Sequence, residues 1–332
     1  MSRTIVTLLT MFLGLDLLLT GGCASSVPHD LAQKRTPTSW VSSASDQPAD
    51  VRVMTFNLRR PVVFDGLNHW GFRKDTAAAT INAIKPDVVG TQECVLAQAE
   101  TLAGALPEYQ WVGAGRNNGH RSGEMTAVFF RTDRMTLIDH GHFWFCNTPD
   151  KPGKRAWGAW WPRMSTWAQL QDHRTGRSFF VFNAHLSAVS SRARRKSAAM
   201  LKTQIQLIAG DQPVVVLGDF NTGTDSTPYA TLTADGQLQD AFRTVHPQPQ
   251  KNESTHHKFR GKTKGERIDW VLATGQLRPT HAGIVNQKLG GRWVSDHFPV
   301  VADLAWDTTP STPTLMAGAG DSSNDEVIFN SP

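Results

Sequence analysis

Residues 214–221 read Val214-Val215-Val216-Leu217-Gly218-Asp219-Phe220-Asn221. The apolar run followed by glycine predicts a short β-strand. Asp219 and Asn221 lie two positions apart, so in extended backbone both side chains point to the same face. The stretch therefore predicts a strand that brings two polar groups to one site. Taken alone, the motif leaves an Asx-rich turn after a strand as the alternative.

Seven further short apolar runs alternate with polar, glycine-containing and proline-containing segments. Their length and punctuation predict strands, and three longer segments predict helices. The predicted strands are 51–56, 87–90, 126–131, 165–170, 179–183, 214–217, 268–273 and 299–304, and the predicted helices are 73–84, 96–106 and 192–208. This pattern indicates a mixed α and β domain, and the sequence shows no internal repeat.

The first 22 residues predict an export signal, because Arg3 precedes an apolar stretch that is too short to span a membrane. Thr20-Gly21-Gly22-Cys23 resembles a bacterial lipoprotein box, in which Cys23 is acylated and becomes the new N-terminus. Thr20 in place of leucine leaves ordinary secretion as the alternative. We therefore expect an exported lipoprotein anchored at the cell envelope, or otherwise a secreted or periplasmic protein.

Composition divides the rest of the chain into a spacer, a domain and a tail. Residues 24–50 are rich in Ser, Pro, Ala and Thr and predict a flexible linker, whereas residues 307–332 predict a disordered tail. The folded domain is predicted at 51–306, and 39% hydrophobic residues in a chain of 332 are enough for a real core. The net charge of +5 favours polyanionic partners, but only weakly.

Three cysteines occur in the chain, and acylation of Cys23 would leave Cys94 and Cys146. In an oxidising compartment this pair could form a disulfide. Two buried free thiols are an equally compatible reading of the sequence.

Six short motifs follow one another along the domain. They are Thr55-Phe56-Asn57-Leu58, Gln92-Glu93, Asn183-Ala184-His185-Leu186, Gly218-Asp219-Phe220-Asn221, Arg267-Ile268-Asp269-Trp270 and Asp296-His297. Together they resemble the endonuclease/exonuclease/phosphatase superfamily, the DNase I-like fold, and the resemblance covers about residues 51–306. It implies a four-layer α/β sandwich, in which two facing β-sheets are flanked by helices and the active site lies where strand-end loops from both sheets meet.

The resemblance also implies a metal site and a set of catalytic groups. Glu93 is the main metal ligand, with Asn57 and Asp296 completing or orienting its shell. The implied ion is Mg²⁺, with Mn²⁺ as a substitute, because both prefer oxygen ligands. Asp219 is assigned to water activation or metal binding and Asn221 to phosphate positioning.

Two histidines complete the implied catalytic set. His297 needs a carboxylate partner to set its tautomer, and Asp269 is the matched residue. His185, which follows Asn183, contacts the phosphate or serves the leaving group, and Glu124 is expected to orient it by a hydrogen bond.

Arg163 and Asn183 are expected to bind substrate, Arg163 through a bidentate phosphate contact. A strand-end salt bridge is the alternative for Arg163. Ser122 stands where some DNA-cleaving relatives have tyrosine, which weakens a specific DNase assignment. Other stretches resemble a bacterial exported branch of the superfamily instead: 113–116, Gly123-Glu124, Phe143-Trp144 with Thr148-Pro149, and 163–167.

Aromatic and imidazole side chains outside these motifs have less specific interpretations. Five tryptophans lie close together in the sequence: Trp144, Trp157, Trp160, Trp161 and Trp167. Their rings could stack on bases or sugars, but we expect at least three of them to fill the core or line the edge of the sandwich. His257 is expected to lie on a solvated loop rather than in the cleft.

These residues predict a divalent-metal-dependent phosphoesterase that acts by direct water attack, and a nuclease is one form of it. The expected substrates are nucleic acid, a sugar phosphate or a phospholipid headgroup, and we expect a monomer that contacts a membrane only through an N-terminal lipid. The alternative is a non-catalytic polyanion-binding module with the same fold. A zinc hydrolase is disfavoured, because neither His-x-x-x-His nor paired cysteines occur.

Overall fold

The computed structural model describes residues 49–307. The predictions for the export signal, for Cys23, for almost all of the 24–50 linker and for the tail after Asp307 lie outside the described residues. Within residues 49–307, no helix is both long and apolar enough to cross a membrane.

Twelve strands in the described residues form two six-stranded sheets. The first sheet contains β1 (Val51–Asn57), β2 (Val88–Gln92), β3 (Tyr109–Val112), β4 (Val128–Arg131), β11 (Leu277–Ile284) and β12 (Val300–Trp306), in the order β11-β12-β1-β2-β4-β3. The second sheet contains β5 (Met135–Trp144), β6 (Met164–Asp172), β7 (Ser178–His185), β8 (Val214–Asp219), β9 (Leu238–Asp240) and β10 (Asp269–Thr274), in the order β5-β6-β7-β8-β10-β9. Each sheet has one parallel pair, β1 with β2 and β7 with β8, so both sheets are mixed.

The helices connect the strands. They are α1 (Trp70–Ile84), α2 (Leu96–Ala105), α3 (Ser191–Ala209), α4 (Thr227–Thr233) and α5 (Ala241–Val245), together with a 3-10 helix at Val63–Asn68. Helices α1, α2 and α3 pack on the outer faces of the sheets, whereas Ala241 and Phe242 of α5 belong to the core between them. The N-terminus of α3 is capped by Ser190, whose side chain accepts a hydrogen bond from the backbone N–H of Ala193. The C-terminus of α1 is closed by Lys85, which has a left-handed backbone conformation.

Alternation along the strands creates the layers. In β1, Val51 and Val53 belong to the core between the sheets, whereas Met54 and Phe56 pack on the opposite face with residues of α1 and α2. The second sheet alternates in the same way, and its outer face packs against α3. The order helix, sheet, sheet, helix confirms the predicted four-layer DNase I-like sandwich.

One polar side chain lies in the middle of the core between the sheets. Asn183 on β7 is fully buried, and its amide nitrogen donates to the backbone carbonyls of Thr91 and Ala127 in the first sheet, each at 2.9 Å. Its amide oxygen accepts a hydrogen bond of 2.7 Å from Gln92. The polar atoms of Asn183 thus join the two sheets, which speaks against the predicted contact of this residue with substrate.

We expect Asn183→Ala to lower the free energy of unfolding by about 2–4 kcal/mol, since it leaves a cavity and removes the partners of buried polar groups. The measurement is urea denaturation at neutral pH. Asn82→Ala on the exposed face of α1 is the matched control and should change stability by less than about 0.5 kcal/mol. Equal stability of the two variants would remove Asn183 as a structural link.

Candidate active site

The inward-facing side chains of the strands change from apolar to polar toward one end of the sandwich. On β7 the inward series starts with Phe179 and Val181, which lie in the core, and continues with Asn183 and His185. On β8 the corresponding series is Val215, Leu217 and Asp219. The two-residue period of a strand therefore delivers polar groups to the same end of the core.

Strand register brings these ends together. Asp219 is opposite His185 in the parallel pair β7–β8 and opposite Asp269 in the antiparallel pair β8–β10. Asn57, at the end of β1 in the other sheet, reaches across and donates a 2.9 Å hydrogen bond to Asp219. The site is thus formed by strand ends from both sheets, as predicted.

Asp219 is the centre of this arrangement. One of its oxygens, Oδ1, accepts the backbone N–H of Asn221 at 2.9 Å, which fixes the turn after β8. The other oxygen, Oδ2, accepts from Asn57 and faces two imidazoles, with His185 Nε2 at 3.5 Å and His297 Nε2 at 3.9 Å. A single carboxylate therefore builds the local turn and presents one oxygen to the cleft.

His297 has the carboxylate partner that was predicted. Its Nδ1 lies 2.9 Å from Asp269 Oδ2, and both residues are buried. The hydroxyl of Thr255 accepts the backbone N–H groups of Ile268 and Asp269, which holds the start of β10 in place. The contact between Asp269 and Nδ1 orients the His297 ring so that Nε2 points toward Asp219.

The buried charges shift the pKa values of these groups in opposite directions. Burial lowers the pKa of His297, but the nearby carboxylates of Asp269 and Asp219 outweigh burial and raise it well above its ordinary value. Burial, reinforced by Asp269, raises the pKa of Asp219 to about 7. Burial also lowers the pKa of His185 well below its usual value, and Arg163 contributes to the same shift. At neutral pH the site thus holds one imidazolium and one neutral imidazole.

Glu124 does not orient His185. Both of its carboxylate oxygens bind the guanidinium of Arg116, at 2.6 and 2.9 Å, and its Oε1 lies 3.5 Å from Arg60 Nε. The predicted hydrogen bond from Glu124 to His185 is therefore wrong, because an arginine eight residues earlier in the chain uses both carboxylate oxygens. Arg116 is a site residue to which the sequence analysis gave no role.

Arg163 lies where a phosphate contact was predicted. It immediately precedes β6 and lines a small cavity together with Arg116, Glu124 and His185. Its Nε and Nη1 atoms are buried and have no hydrogen-bond partner in the described part of the chain. These donors favour the phosphate-binding interpretation over the strand-end salt bridge.

The three predicted metal-binding residues lie at the same end of the sandwich. Asn57 Nδ2 is 3.5 Å from Glu93 Oε1, while Asn57 Oδ1 accepts the backbone N–H of Arg59. Asn57 therefore orients carboxylates instead of offering its oxygen. Asp296 is buried, and its Oδ2 lies 3.7 Å from Arg59 Nη1. Hydrogen bonding to Asp65, together with the charges of Asp296 and Glu93, raises the pKa of Arg59, so a cation already faces both carboxylates.

Two other groups of side chains bring possible ligand atoms within 4.8 Å of one another. They are Asp219 with Asp269 and His297, and His256 with Asp296 and His297. Both groups include His297, whose Nδ1 is already held by Asp269 at 2.9 Å. Glu93 belongs to neither group, and its carboxylate acts on Arg59 together with that of Asp296. Carboxylate oxygens are the ligands that a hard divalent cation prefers.

His256 lies at the site, whereas His257 points into the domain. His256 forms an antiparallel bridge with His297 and stacks on its ring, with centroids 4.6 Å apart. Because neighbouring residues of an extended segment face opposite sides, His257 points into the domain and stacks on Phe298 at 3.8 Å. The prediction that His257 is solvated is wrong, since it is 3% exposed. His256 is the site residue that sequence reasoning missed.

The aromatic and thiol predictions have clear outcomes. Trp144, Trp157 and Trp167 pack in hydrophobic clusters, whereas Trp160 and Trp161 are exposed, so the expectation of at least three packed rings is confirmed. Cys94 and Cys146 are both buried free thiols, which excludes the disulfide in this structure.

We expect His257 to make the fold sensitive to acid. Burial lowers its pKa from 6.5 to about 4, so the unfolded chain takes up a proton before the folded one does. The free energy of unfolding should therefore fall as the pH is lowered from about 6.5 through 4. His257→Leu should show a shallower fall in urea denaturation over this pH range. An unchanged slope would contradict this role.

The comparisons with known proteins agree with this geometry. The model of the Endonuclease/Exonuclease/phosphatase family matches residues 54–297. An endonuclease/exonuclease/phosphatase structure from Bacteroides vulgatus is 35% identical with a TM-score of 0.73, covering 77% of this chain and 99% of that one. A mannosyl-6-phosphatase from Bacteroides thetaiotaomicron is 28% identical with a TM-score of 0.71, covering 77% of this chain and all of that one, 100%.

A more distant relative has a longer chain. Nocturnin from Drosophila melanogaster is 23% identical over an alignment of 331 positions, which covers 82% of this chain and 49% of that protein. This chain thus spans about half the length of that relative. The family match over most of the described domain, the Bacteroides vulgatus structure and the shared fold lead to one conclusion: the chain belongs to the endonuclease/exonuclease/phosphatase family.

Proposed function

We propose that this protein is a divalent-metal-dependent phosphoesterase in which water attacks phosphorus directly and no covalent intermediate forms. The observation that carries the proposal is the pairing of one buried carboxylate, Asp219, with two imidazole Nε2 atoms at 3.5 and 3.9 Å. Membership of a family that includes a mannosyl-6-phosphatase also supports hydrolysis of a phosphate ester. Metal dependence and direct attack by water go beyond what family membership supports.

Asp219 is proposed to hold and deprotonate the attacking water. Its Oδ2 faces the cleft, and its pKa of about 7 lets it accept a proton near neutral pH. The water oxygen forms the new bond to phosphorus while the bond to the ester oxygen breaks. The proton from water goes to Asp219 Oδ2, and the leaving oxygen takes a proton from a cationic or solvent donor.

His297 and Arg163 are proposed to stabilise the charge that develops on the phosphoryl group. His297 is protonated and held by Asp269, so its Nε2–H is a fixed donor at the cleft. Arg163 offers donors that have no protein partner in the described residues. His185 is neutral and lies beside Asp219, where it positions a non-bridging or leaving oxygen. Asn221, at the turn after β8, completes the phosphate contacts.

Glu93 and Asp296 are the residues proposed to hold Mg²⁺, with Mn²⁺ as a substitute. A bound divalent ion would supply charge neutralisation for the phosphate oxygens. Asn57 bridges the Glu93 and Asp219 carboxylates by donating to both.

Three substrate classes remain in the proposal: nucleic acid, sugar phosphate and phospholipid headgroup. The mannosyl-6-phosphatase relative favours sugar phosphates as the first class to test. Ser122, in place of a tyrosine of some DNA-cleaving relatives, argues against a specific DNase. We also propose a monomeric state, together with export and a lipid anchor at Cys23; the last two rest on the N-terminal sequence pattern alone.

His297→Ala tests the proposed chemistry. We expect turnover to fall by about two to four orders of magnitude, because a positioned proton donor and positive charge are lost. The assay uses DNA, RNA, nucleotides, sugar phosphates and phospholipids with Mg²⁺, Mn²⁺ or EDTA. His173→Ala, in the turn at the far end of β7, is the matched control and should keep full activity.

The outcomes of this assay separate the two functional classes. A folded, fully active His297→Ala protein would remove this residue from the mechanism. If the wild type cleaves nothing in the panel, the non-catalytic polyanion-binding alternative gains support.

Glu93→Gln tests the metal site. Replacing a carboxylate by an amide removes charge but keeps the shape, so we expect Mg²⁺ affinity to fall about tenfold or more. The measurement is isothermal titration calorimetry with Mg²⁺, alongside the Mg²⁺ dependence of activity. Glu100→Gln, an exposed glutamate of α2, is the control. Identical titrations for wild type and Glu93→Gln would show that Glu93 is not a ligand.

A further inference from the structure

Exposed apolar side chains are concentrated at the mouth of the site. In the described residues, six of the nine large apolar side chains that are exposed lie in two segments next to the cleft. We call this set the apolar rim, and its members are Val63, Phe64, Leu67, Phe72, Trp160 and Trp161. The exposed fractions reach 97% for Phe64 and 84% for Val63. Such clustering at one surface marks an interaction site, whereas scattered exposed apolar residues do not.

The 3-10 helix at Val63–Asn68 presents only its apolar side outward. Its single carboxylate, Asp65, is folded back and accepts two hydrogen bonds of 3.0 Å from Arg59. Val63, Phe64 and Leu67 are left facing solvent. The segment thus turns its charge toward the protein and its apolar groups away from it, which is the reverse of an ordinary surface loop.

Contacts at the cleft tie both segments of the apolar rim to the same opening. Arg59, which holds Asp65, also faces Asp296 at 3.7 Å. Arg60 and Arg116 meet at Glu124, and the Arg116 guanidinium lies 5.8 Å from the Trp161 ring centroid. The rim therefore flanks the entrance through which a substrate reaches His185 and Asp219.

Arginines are interspersed among the apolar side chains of the rim. Arg292 donates to the backbone carbonyl of Leu67 at 3.1 Å and lies 5.9 Å from the Phe72 ring centroid. Arg155 donates to the carbonyl of Trp160 at 3.3 Å. Both guanidinium groups are exposed, and neither has a carboxylate within ion-pair distance among residues 49–307. The surface is thus apolar and cationic at once.

We propose that the apolar rim docks on an anionic lipid surface and points the mouth of the site at it. Exposed aliphatic and aromatic side chains enter the boundary between headgroups and acyl chains, while the interspersed arginines pair with anionic headgroups. The four aromatic rings of the rim could also stack on bases, but the exposed aliphatic side chains of Val63 and Leu67 match acyl chains and not nucleic acid. The unpaired arginines favour an anionic surface over a second copy of the chain, which would bring like charges together.

The test compares two double variants in vesicle flotation. The protein is the chain from residue 24 onward, which keeps every described residue and lacks Cys23, so that no lipid can be attached there. Phe64→Ser with Leu67→Ser removes two members of the rim. Ile138→Ser with Leu207→Ser is the matched control, since Ile138 on β5 and Leu207 near the end of α3 are also exposed but belong to neither rim segment.

We expect wild type to bind vesicles of phosphatidylglycerol and phosphatidylcholine, and the rim variant to bind about tenfold or more weakly. The control variant should bind like wild type. Arg155→Gln with Arg292→Gln should reduce the preference for these vesicles over phosphatidylcholine alone. Hydrolysis of a small soluble phosphate ester should stay unchanged in the rim variant, which separates failure of docking from failure of the proposed catalysis.

Three results would overturn the proposal. The first is absence of wild-type binding to anionic vesicles, and the second is equal loss of binding in the rim and control variants. The third is rim-dependent binding to single-stranded DNA, or rim-dependent self-association in analytical ultracentrifugation, without binding to vesicles.

Discussion

The buried amide of Asn183 fixes how the two sheets face each other at the end that carries the site. It joins β7 to two carbonyls of the first sheet and to Gln92, which directly precedes Glu93. A β-carbon at Gly90 would lie 2.9 Å from the Asn183 side chain, so β2 in the facing sheet needs glycine at that point. Because His185 is two residues beyond Asn183 on β7, this link also sets where Glu93 lies relative to His185.

The site buries more charge at this end of the two sheets than stability alone would favour. Asp219 and Asp269 are both buried beside a single imidazolium, and removing carboxylates from water costs free energy unless donors replace the water. Asn57 and the backbone N–H groups around the site supply part of that replacement. One oxygen of Asp269 still has no hydrogen-bond partner among the described residues. Such incomplete compensation is typical of a site that is arranged for charge developing on a bound group.

The sequence predicted the strands whose two faces are both covered. The four strands that it missed, β3, β5, β9 and β11, are the four edges of the two sheets. Edge strands are partly exposed, so polar residues interrupt the apolar runs that identify central strands. Local sequence patterns also predicted only part of the site. Strand alternation predicted that Asp219 and Asn221 belong together, but no local pattern indicates that Glu124 binds Arg116, or that His256 rather than His257 faces the cleft.

The turn and the site at the end of β8 are one arrangement rather than two competing interpretations. Asp219 uses Oδ1 to hold the backbone N–H of Asn221, whose left-handed conformation turns the chain, and it uses Oδ2 to face the cleft. Asn57 repeats this at the end of β1, where its Oδ1 holds the N–H of Arg59, also left-handed, and its Nδ2 serves the carboxylates. A left-handed residue other than glycine costs roughly 1 kcal/mol, which these bonds offset. Loss of either side chain therefore disturbs backbone and chemistry together, because the same group performs both tasks.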